Sequence, residues 1–431
     1  MYALLKKIYP LRLAPVSEDA DRVVRILSKE LPFKIHEFPS GAEHNGWIVP
    51  KKWKAVKAFI RKGNSLIYDG MKHPLGVVGY STSFKRNVNL KELKAHLFYH
   101  PKLDDALVYH CDYYYKPWKK NWGLSVPHSL FRRLKRGYYE VDLETRFEDG
   151  RMKVLDYTLE GEKQDTIILN AHNCHAAQAN DDIAGVVVGI EVMKRLRKLK
   201  KRRFSYRLIV GPEHLGTAFY LSKLSDSSVK NLRFAIFLEM LGTNKKFALQ
   251  QSFNGESLID KAAHSYFRNR FPDYHWAEFR KIVGNDETVW ESPGYEIPCI
   301  SISRLLYDEY HSDKDNENII SENKLEESVR AILSILDILE TNSKMKRRFK
   351  GLIALSNPRY DLYIGTVDPS VRSAVSSEQK KWNYLMDCLT RYFDQKMTIL
   401  DIATKHDLDY FKLYEYINKF REKGLISFVQ K

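Results

Sequence analysis

Cysteine is scarce and scattered in this chain. Cys111, Cys174, Cys299 and Cys388 are the only four in 431 residues, and no two form a C-x-x-C pair. That excludes a disulfide scaffold and a zinc knuckle, and it leads us to expect a reducing, cytoplasmic setting. No apolar run reaches about 18 residues, the length a membrane-spanning helix needs. The opening Met1-Tyr2-Ala3-Leu4-Leu5-Lys6-Lys7 meets charge too early for a secretory signal. A glycine-rich phosphate loop and a G-x-S-x-G elbow are also missing, which removes P-loop nucleotide hydrolysis and serine-hydrolase chemistry of the elbow type.

What is present points to a large folded protein. The chain is 44% hydrophobic, enough for a sizeable core, and its length predicts two or three domains. It carries 70 basic and 54 acidic residues, a formal charge of +16, which draws anions toward it. The excess is uneven. Eight of the ten residues from Lys194 to Arg203 are basic, and Lys344 to Lys350 is a second cluster. The first run reads as a solvated helix end, where cations complement the helix dipole.

Periodicity divides the chain. Ser17 before Glu18 and Asp19 predicts a helix over 17–30. Residues 41–130 are rich in aromatics, including Trp47, Trp53, Tyr113, Tyr114, Tyr115, Trp118 and Trp122, with short apolar runs broken by turn residues; this predicts a small inserted β-rich domain. From about residue 138, strand and helix alternate. Strands are expected at 138–146, 165–171, 206–210, 233–238 and 297–302, and helices at 183–199, 216–223, 256–268 and 324–339. The fold class is therefore α/β, with a mixed or mostly parallel sheet built from 1–40 and 131–342. Residues 343–376 are basic and turn-rich and read as a linker. Residues 377–431 predict a helical module resembling a winged helix-turn-helix, with a stripe from Trp382 to Phe393 and further helices near 398–403 and 408–423.

The chemistry sits where the strands end. The run Ile167-Ile168-Leu169 leads into His172 and His175, three apart, then Asp181 and an apolar helix. Strand 206–210 leads to Glu213 and His214, strand 233–238 to Glu239, and strand 297–302 to His311 one loop later. In an open α/β sheet ligands bind outside the carboxyl ends of the strands. Imidazoles and carboxylates at four such ends can converge on one zinc ion and leave a coordination position open. Each residue also has a plain structural use; Asp181 or Asp182, for instance, can cap the helix that follows.

In this order the segments resemble the M28-type zinc aminopeptidases. The resemblance rests on Ala171-His172, on the turn Asn180-Asp181-Asp182-Ile183-Ala184-Gly185, on Pro212-Glu213-His214, on Glu239-Met240-Leu241-Gly242 and on Tyr310-His311-Ser312, with Gly284-Asn285-Asp286-Glu287-Thr288 similar to a substrate-side turn of that family. The aromatic insert, the H-x-C-H spelling and the terminal module are similar to the DUF4910/DUF2172 aminopeptidase-like proteins. That resemblance implies an M28-like core, an inserted domain, a C-terminal winged helix, and a link with surface-polysaccharide genes.

The same resemblance implies roles. Zinc, as one ion or two, is expected on some of His172, His175, Asp181, Glu239 and His311. Glu213 is expected as general base, with ligation as its alternative role. Asn285, Asp286, Arg304 and Tyr310 are expected to orient the substrate, Asp286 by holding a free α-amino group. Two spellings depart from the family: Cys174 stands where a supporting Asp belongs, and the usual Glu-Glu pair is Glu213-His214. The implied reaction is release of an N-terminal residue from a small peptide or aminoacyl conjugate. Amide hydrolysis on an amino sugar and a non-catalytic regulatory role are the alternatives. A small substrate is the expected partner, with self-association left open and nucleic acid not expected.

Overall fold

A computed structural model describes residues 1–364 and 376–429. The chain divides into two compact units. One holds Met1–Phe253 and His275–Arg330; the other holds Asn254–Tyr274 and Ala331–Lys431.

The first unit is built on a mixed eight-stranded sheet. Its spatial order is Lys34–Pro39, Arg151–Leu159, Ser205–Gly211, Thr166–His172, Leu232–Leu238, Cys299–Arg304, Phe247–Gln250 and His275–Ala277. The middle of the sheet is parallel: Thr166–His172 lies between Ser205–Gly211 and Leu232–Leu238, and the latter pairs with Cys299–Arg304. All seven residues of Thr166–His172 are buried, as expected of a parallel strand covered on both faces. The register sets His172 opposite Gly211 and Leu238 opposite Ile302. Four parallel strands therefore end on one edge of the sheet, and the loops leaving them share one crevice.

Local rules place most helices as the sequence predicts. Ser17 caps Glu18–Leu27, its hydroxyl accepting from the Ala20 N–H at 3.1 Å. The predicted helix 183–199 is Gly185–Arg197, entered through an irregular turn, Ala179–Ala184. A Cβ on Gly185 would stand 2.0 Å from the Leu238 carbonyl oxygen. Only glycine lets this helix start directly against the strand that delivers Glu239.

Two assignments change. Tyr138–Glu148, expected as the first strand of the α/β core, instead closes the insert: it lies between Lys52–Lys62 and Phe84–Asn89 in a four-stranded antiparallel sheet. Its alternating pattern suits either sheet, and pairing partners rather than pattern decide. The insert therefore runs past residue 130, and the large sheet gains Lys34–Pro39 and Arg151–Leu159, which the sequence reading left out. Trp53, Tyr113, Tyr114, Trp122 and Val141 fill the insert's own core.

In the second unit, helices Ser377–Cys388, Ile399–His406 and Tyr410–Glu422 accompany a three-stranded antiparallel sheet. Its middle strand is Lys344–Arg347, between Asp394–Thr398 and Ile426–Val429. These residues were expected in the linker; their charge hides a strand that buries only Met345. Positions 365–375 of the expected linker lie outside the described residues. The helix Leu258–Arg270 also joins this unit, with Arg268 2.8 Å from Asp407 and Arg270 3.4 Å from Asp409. Among the described residues no helix is long and apolar enough to cross a membrane.

Candidate metal centre

The strand-end crevice brings His172, His175, Asp181, Glu239 and His311 together. His172 points Nε2 at Asp181 Oδ1 (3.4 Å) and Glu239 Oε2 (3.6 Å). Asp181 Oδ2 lies 3.0 Å from His311 Nε2. Candidate ligand atoms within 4.8 Å of one another form three groups: the cluster His172–Cys174–His175–Asp182 and two triads, His172–Asp181–Glu239 and His175–Asp181–His311. The triads are the groups that leave Asp182 free to brace the imidazoles. They share Asp181, whose two oxygens face different histidines.

Asp182 faces both imidazoles of the His172-Asn173-Cys174-His175 segment. Its Oδ2 lies 3.4 Å from Nδ1 of His172, 3.4 Å from Nδ1 of His175, and accepts the His175 N–H at 3.0 Å. Anchoring Nδ1 on a carboxylate fixes the ring and frees Nε2, the arrangement that metal-binding histidines use. From sequence, Asp182 read only as a helix cap. Its neighbour Cys174 takes a hydrogen bond from the Glu213 N–H at 3.4 Å and sits 3.5 Å from His175 Nδ1.

The turn holding Asp181 is pinned from behind. The buried Asp315 carboxylate accepts the N–H groups of Ala179, Asn180 and Asp181 at 3.1, 2.7 and 3.0 Å, and the Tyr307 hydroxyl at 2.5 Å. Asn180 Oδ1 accepts the Gly242 N–H at 2.8 Å, tying this turn to the loop after Glu239. Four non-glycine residues around the crevice have positive φ: Ala177 at 51°, His214 at 53°, Met240 at 49° and His311 at 54°. Such strain gathers where the chain serves a site rather than its own stability.

The electrostatics match a cation. Burial pushes the Glu239 carboxyl up to about 7 against the pull of His172, with Asp181 adding to the rise. Burial also opposes charge on His172, yet Asp181, Asp182 and Glu239 hold its pKa well above the ordinary range. His172 Nε2, Asp181 Oδ1, Glu239 Oε1 and His311 Nε2 are buried with no hydrogen-bond partner among the described residues. Buried nitrogen and oxygen atoms left without hydrogen bonds are costly unless a ligand satisfies them. Their types suit zinc.

Glu213 belongs to neither triad. Its carboxylate accepts the Tyr115 hydroxyl at 2.7 Å and lies 3.8 Å from His175 Nε2. Burial raises its pKa, but His175, His172 and His214, with the Tyr115 hydrogen bond, more than offset this and hold it below the usual value. His214 turns away from the two triads, its Nδ1 3.8 Å from Asp286 and its Nε2 4.0 Å from Glu213. His175, not His214, joins Asp181 and His311. The insert also reaches the crevice: Tyr109 lies 4.5 Å from the His175 ring and 5.1 Å from the His311 ring. Residues contributed from so far along the chain leave no local sequence signal.

The expected substrate residues fare differently. Tyr310 stacks on His311 at 3.9 Å and is half-buried at the crevice. Asn285 donates to Glu239 Oε2 at 2.6 Å and so braces a candidate ligand, while its Oδ1 has no hydrogen-bond partner among the described residues. Asp286 is a correction: it is buried, and its oxygens accept the His214 N–H and the Thr217 hydroxyl, the latter at 2.9 Å, so it braces the Glu213-His214 segment. Arg304 is a second correction. It is 2% exposed, donates to the carbonyls of Leu241, Lys245 and Lys324 and to Glu327, and stacks on Phe247. That is a buried structural tie, explained by its position at a strand end whose neighbouring carbonyls need donors.

The fold is that of the M28-type zinc aminopeptidases. BSAP, a zinc aminopeptidase from Bacillus subtilis, matches with a TM-score of 0.58 at 12% identity, covering 78% of this chain and 93% of that one. A peptidase M28 precursor from Shewanella amazonensis matches with a TM-score of 0.58 at 13% identity, covering 79% and 92%. These two likenesses speak to the fold. The family described as Domain of unknown function (DUF4910) matches residues 2–342, and the chain belongs to it. A Clostridium acetobutylicum protein is 28% identical over 414 residues, 95% of this chain and 92% of its own; it bears the provisional name of a polysaccharide biosynthesis protein with aminopeptidase-like domain. A crystal structure from the same organism, provisionally named a peptidase, matches with a TM-score of 0.83 at 25% identity, covering 99% and 96%.

Proposed function

We propose that this protein is a zinc-dependent amide hydrolase of the aminopeptidase type, acting on small substrates. The observation that carries the reading is the pair of ligand triads sharing Asp181, with Glu213 beside them and outside both. His172, Asp181 and Glu239 would hold the tighter ion, because all three are buried and two are carboxylates. His175, Asp181 and His311 would hold a second more weakly, since His311 is partly exposed and Asp181 is shared. Bound zinc supplies Lewis acidity toward a carbonyl and acidifies water toward neutrality. Glu213 accepts the proton of the attacking water and returns it to the leaving amine. Tyr115 holds the Glu213 carboxylate in place through its hydroxyl.

One observation favours an amide other than a peptide's. Asp286, the carboxylate expected to grip a free α-amino group, is buried and hydrogen-bonded to the His214 N–H and the Thr217 hydroxyl. An amide on an amino sugar needs no such grip, and the name of the Clostridium acetobutylicum relative fits that substrate class. For the C-terminal unit we assign a winged-helix module that packs against protein. Three of its cations are engaged within the unit: Lys412 with Glu378 at 2.6 Å, Lys381 with Asp407, and Arg421 over Phe428 at 4.9 Å.

The test pairs metal analysis with turnover. Purified protein should carry at least one equivalent of zinc and cleave aminoacyl-arylamides or N-acyl amino sugars, with activity lost to a chelator and restored by zinc. Zinc-loaded protein inert on both substrate sets would refute the hydrolase reading.

A further inference from the structure

The inserted β unit contains a second cleft, separate from the metal centre, that nothing in the mechanism uses. It encloses about 450 Å³, within the range of small-molecule sites. Its walls are aromatic: Tyr80, Tyr113 and Phe147. Its rim carries Lys51, Lys119 and Lys120, and no acidic residue lines it. Lys51 is paired with Asp149 at 3.3 Å on the exposed surface. Lys119 and Lys120 are exposed, with no ion-pair partner among the described residues.

The polar groups of the walls are already spent on the fold. The Tyr80 hydroxyl donates to the Val16 carbonyl and accepts the Val16 N–H, and the Tyr113 hydroxyl donates to the Trp122 carbonyl. What remains to a ligand is ring surface, most of it on Phe147, which is 39% exposed beside the nearly buried Tyr80 and Tyr113, and two free ammonium groups at the mouth. A neutral polar molecule would find few partners there, and a bare anion would leave the aromatic walls unused. From this juxtaposition we propose that the cleft binds a ring-bearing anion of the sugar-phosphate class, its ring against Phe147, Tyr80 and Tyr113 and its phosphate on Lys119 and Lys120. Stacking of a sugar face on aromatic rings and charge-assisted contacts to phosphate supply the two halves of the recognition.

Tyr113 also connects the cleft to the metal centre. It begins the run Tyr113-Tyr114-Tyr115, whose third member donates to Glu213. Buried Tyr114 bridges the two, 5.3 Å from the Tyr80 ring and 6.4 Å from the Tyr115 ring. A ligand in the cleft therefore rests on the segment that holds Glu213.

Calorimetry on the full chain with glucose 1-phosphate, inorganic phosphate and glucose tests the proposal without any assumption about catalysis. Glucose 1-phosphate should bind at least tenfold more tightly than either fragment alone. The double variant Lys119→Ala/Lys120→Ala should weaken it by about tenfold or more, the effect expected of lost charge-assisted contacts, while zinc content and thermal midpoint stay unchanged. Phe147→Ala should weaken glucose 1-phosphate but leave inorganic phosphate as it was. Equal affinity for glucose 1-phosphate and inorganic phosphate would overturn the proposal, reducing the cleft to a patch of positive charge. So would binding that survives the double lysine variant, or no binding by the intact protein.

Discussion

The metal-centre crevice and the C-terminal unit differ in how far local rules account for them. In the C-terminal unit the helix ends follow those rules, although Asp361 and Gln395 also take positive φ, and His406 Nδ1 and Asn418 Oδ1 lack hydrogen bonds among the described residues. Thr398 and Asp401 form a reciprocal capping box, Ser257 and Asp260 form another, and Asp409 accepts the N–H groups of Phe411 and Lys412. Its left-handed Asp407 follows the last turn of Ile399–His406, where such a conformation ends a helix. In the crevice, four non-glycine residues take positive φ, the helix entry at Asp181 is irregular, and buried nitrogens and oxygens lack hydrogen bonds. Agreement across levels is what stability selects; local violations mark places where function imposes the geometry.

Substitutions can sharpen that contrast. The largest effect is expected from Glu213→Gln, which keeps shape and removes the base. Turnover should fall about 10²–10⁴-fold, while zinc measured by mass spectrometry stays at the wild-type level. Undiminished activity in this variant would remove Glu213 from the role of base. Phe420→Ala comes next. Phe420 is fully buried, 5.3 Å from the Phe393 ring and 5.4 Å from the Tyr416 ring, and its loss should cost about 3–5 kcal/mol in denaturant unfolding of the C-terminal unit. Zinc content should not change, because that unit holds none of the ligand candidates.

Much of this contrast is legible in the sequence, and the exceptions have physical causes. The apolar runs at 167–169, 206–210 and 233–238 announce buried strands, and polar residues just beyond them announce a crevice. His172, Asp181 and Glu239 stand beyond those runs and His311 a loop after 297–302, and their expected roles come from the resemblance to the M28-type aminopeptidases. The role of Asp182 has no such signal, because its partners, two Nδ1 atoms on a neighbouring loop, exist only after the turn at Ala179–Ala184 has formed. Tyr115 and Asp315 act over 98 and more than 130 residues of chain. Arg304 misled for the reverse reason: a cation near a predicted site reads as a substrate contact, yet here it satisfies buried carbonyls. Tyr138–Glu148 alternates equally well for two sheets, and Lys344–Arg347 is too charged to read as a central strand.

Smaller effects complete the comparison. Asp182→Asn keeps a hydrogen-bonding shape but removes the charge that orients His172 and His175. Zinc affinity in a competition titration should fall about 10–100-fold, and the melting temperature of zinc-free protein should change little by comparison. Unaltered affinity would mean that the two imidazoles are held by packing alone. Thr398→Ala removes one half of a capping box and should cost about 1 kcal/mol in the same denaturant experiment. A negligible cost there, beside a measurable one at Asp182, would reverse the assignment of stability to one region and function to the other.

The most direct test is diffraction from zinc-loaded crystals, recorded at the zinc absorption edge. An anomalous peak about 2.0–2.2 Å from His172 Nε2, Asp181 Oδ1 and Glu239, with any second peak between His175, Asp181 and His311, is the predicted result. A folded protein whose zinc lies elsewhere, or which takes up none at saturating concentration, would contradict the account.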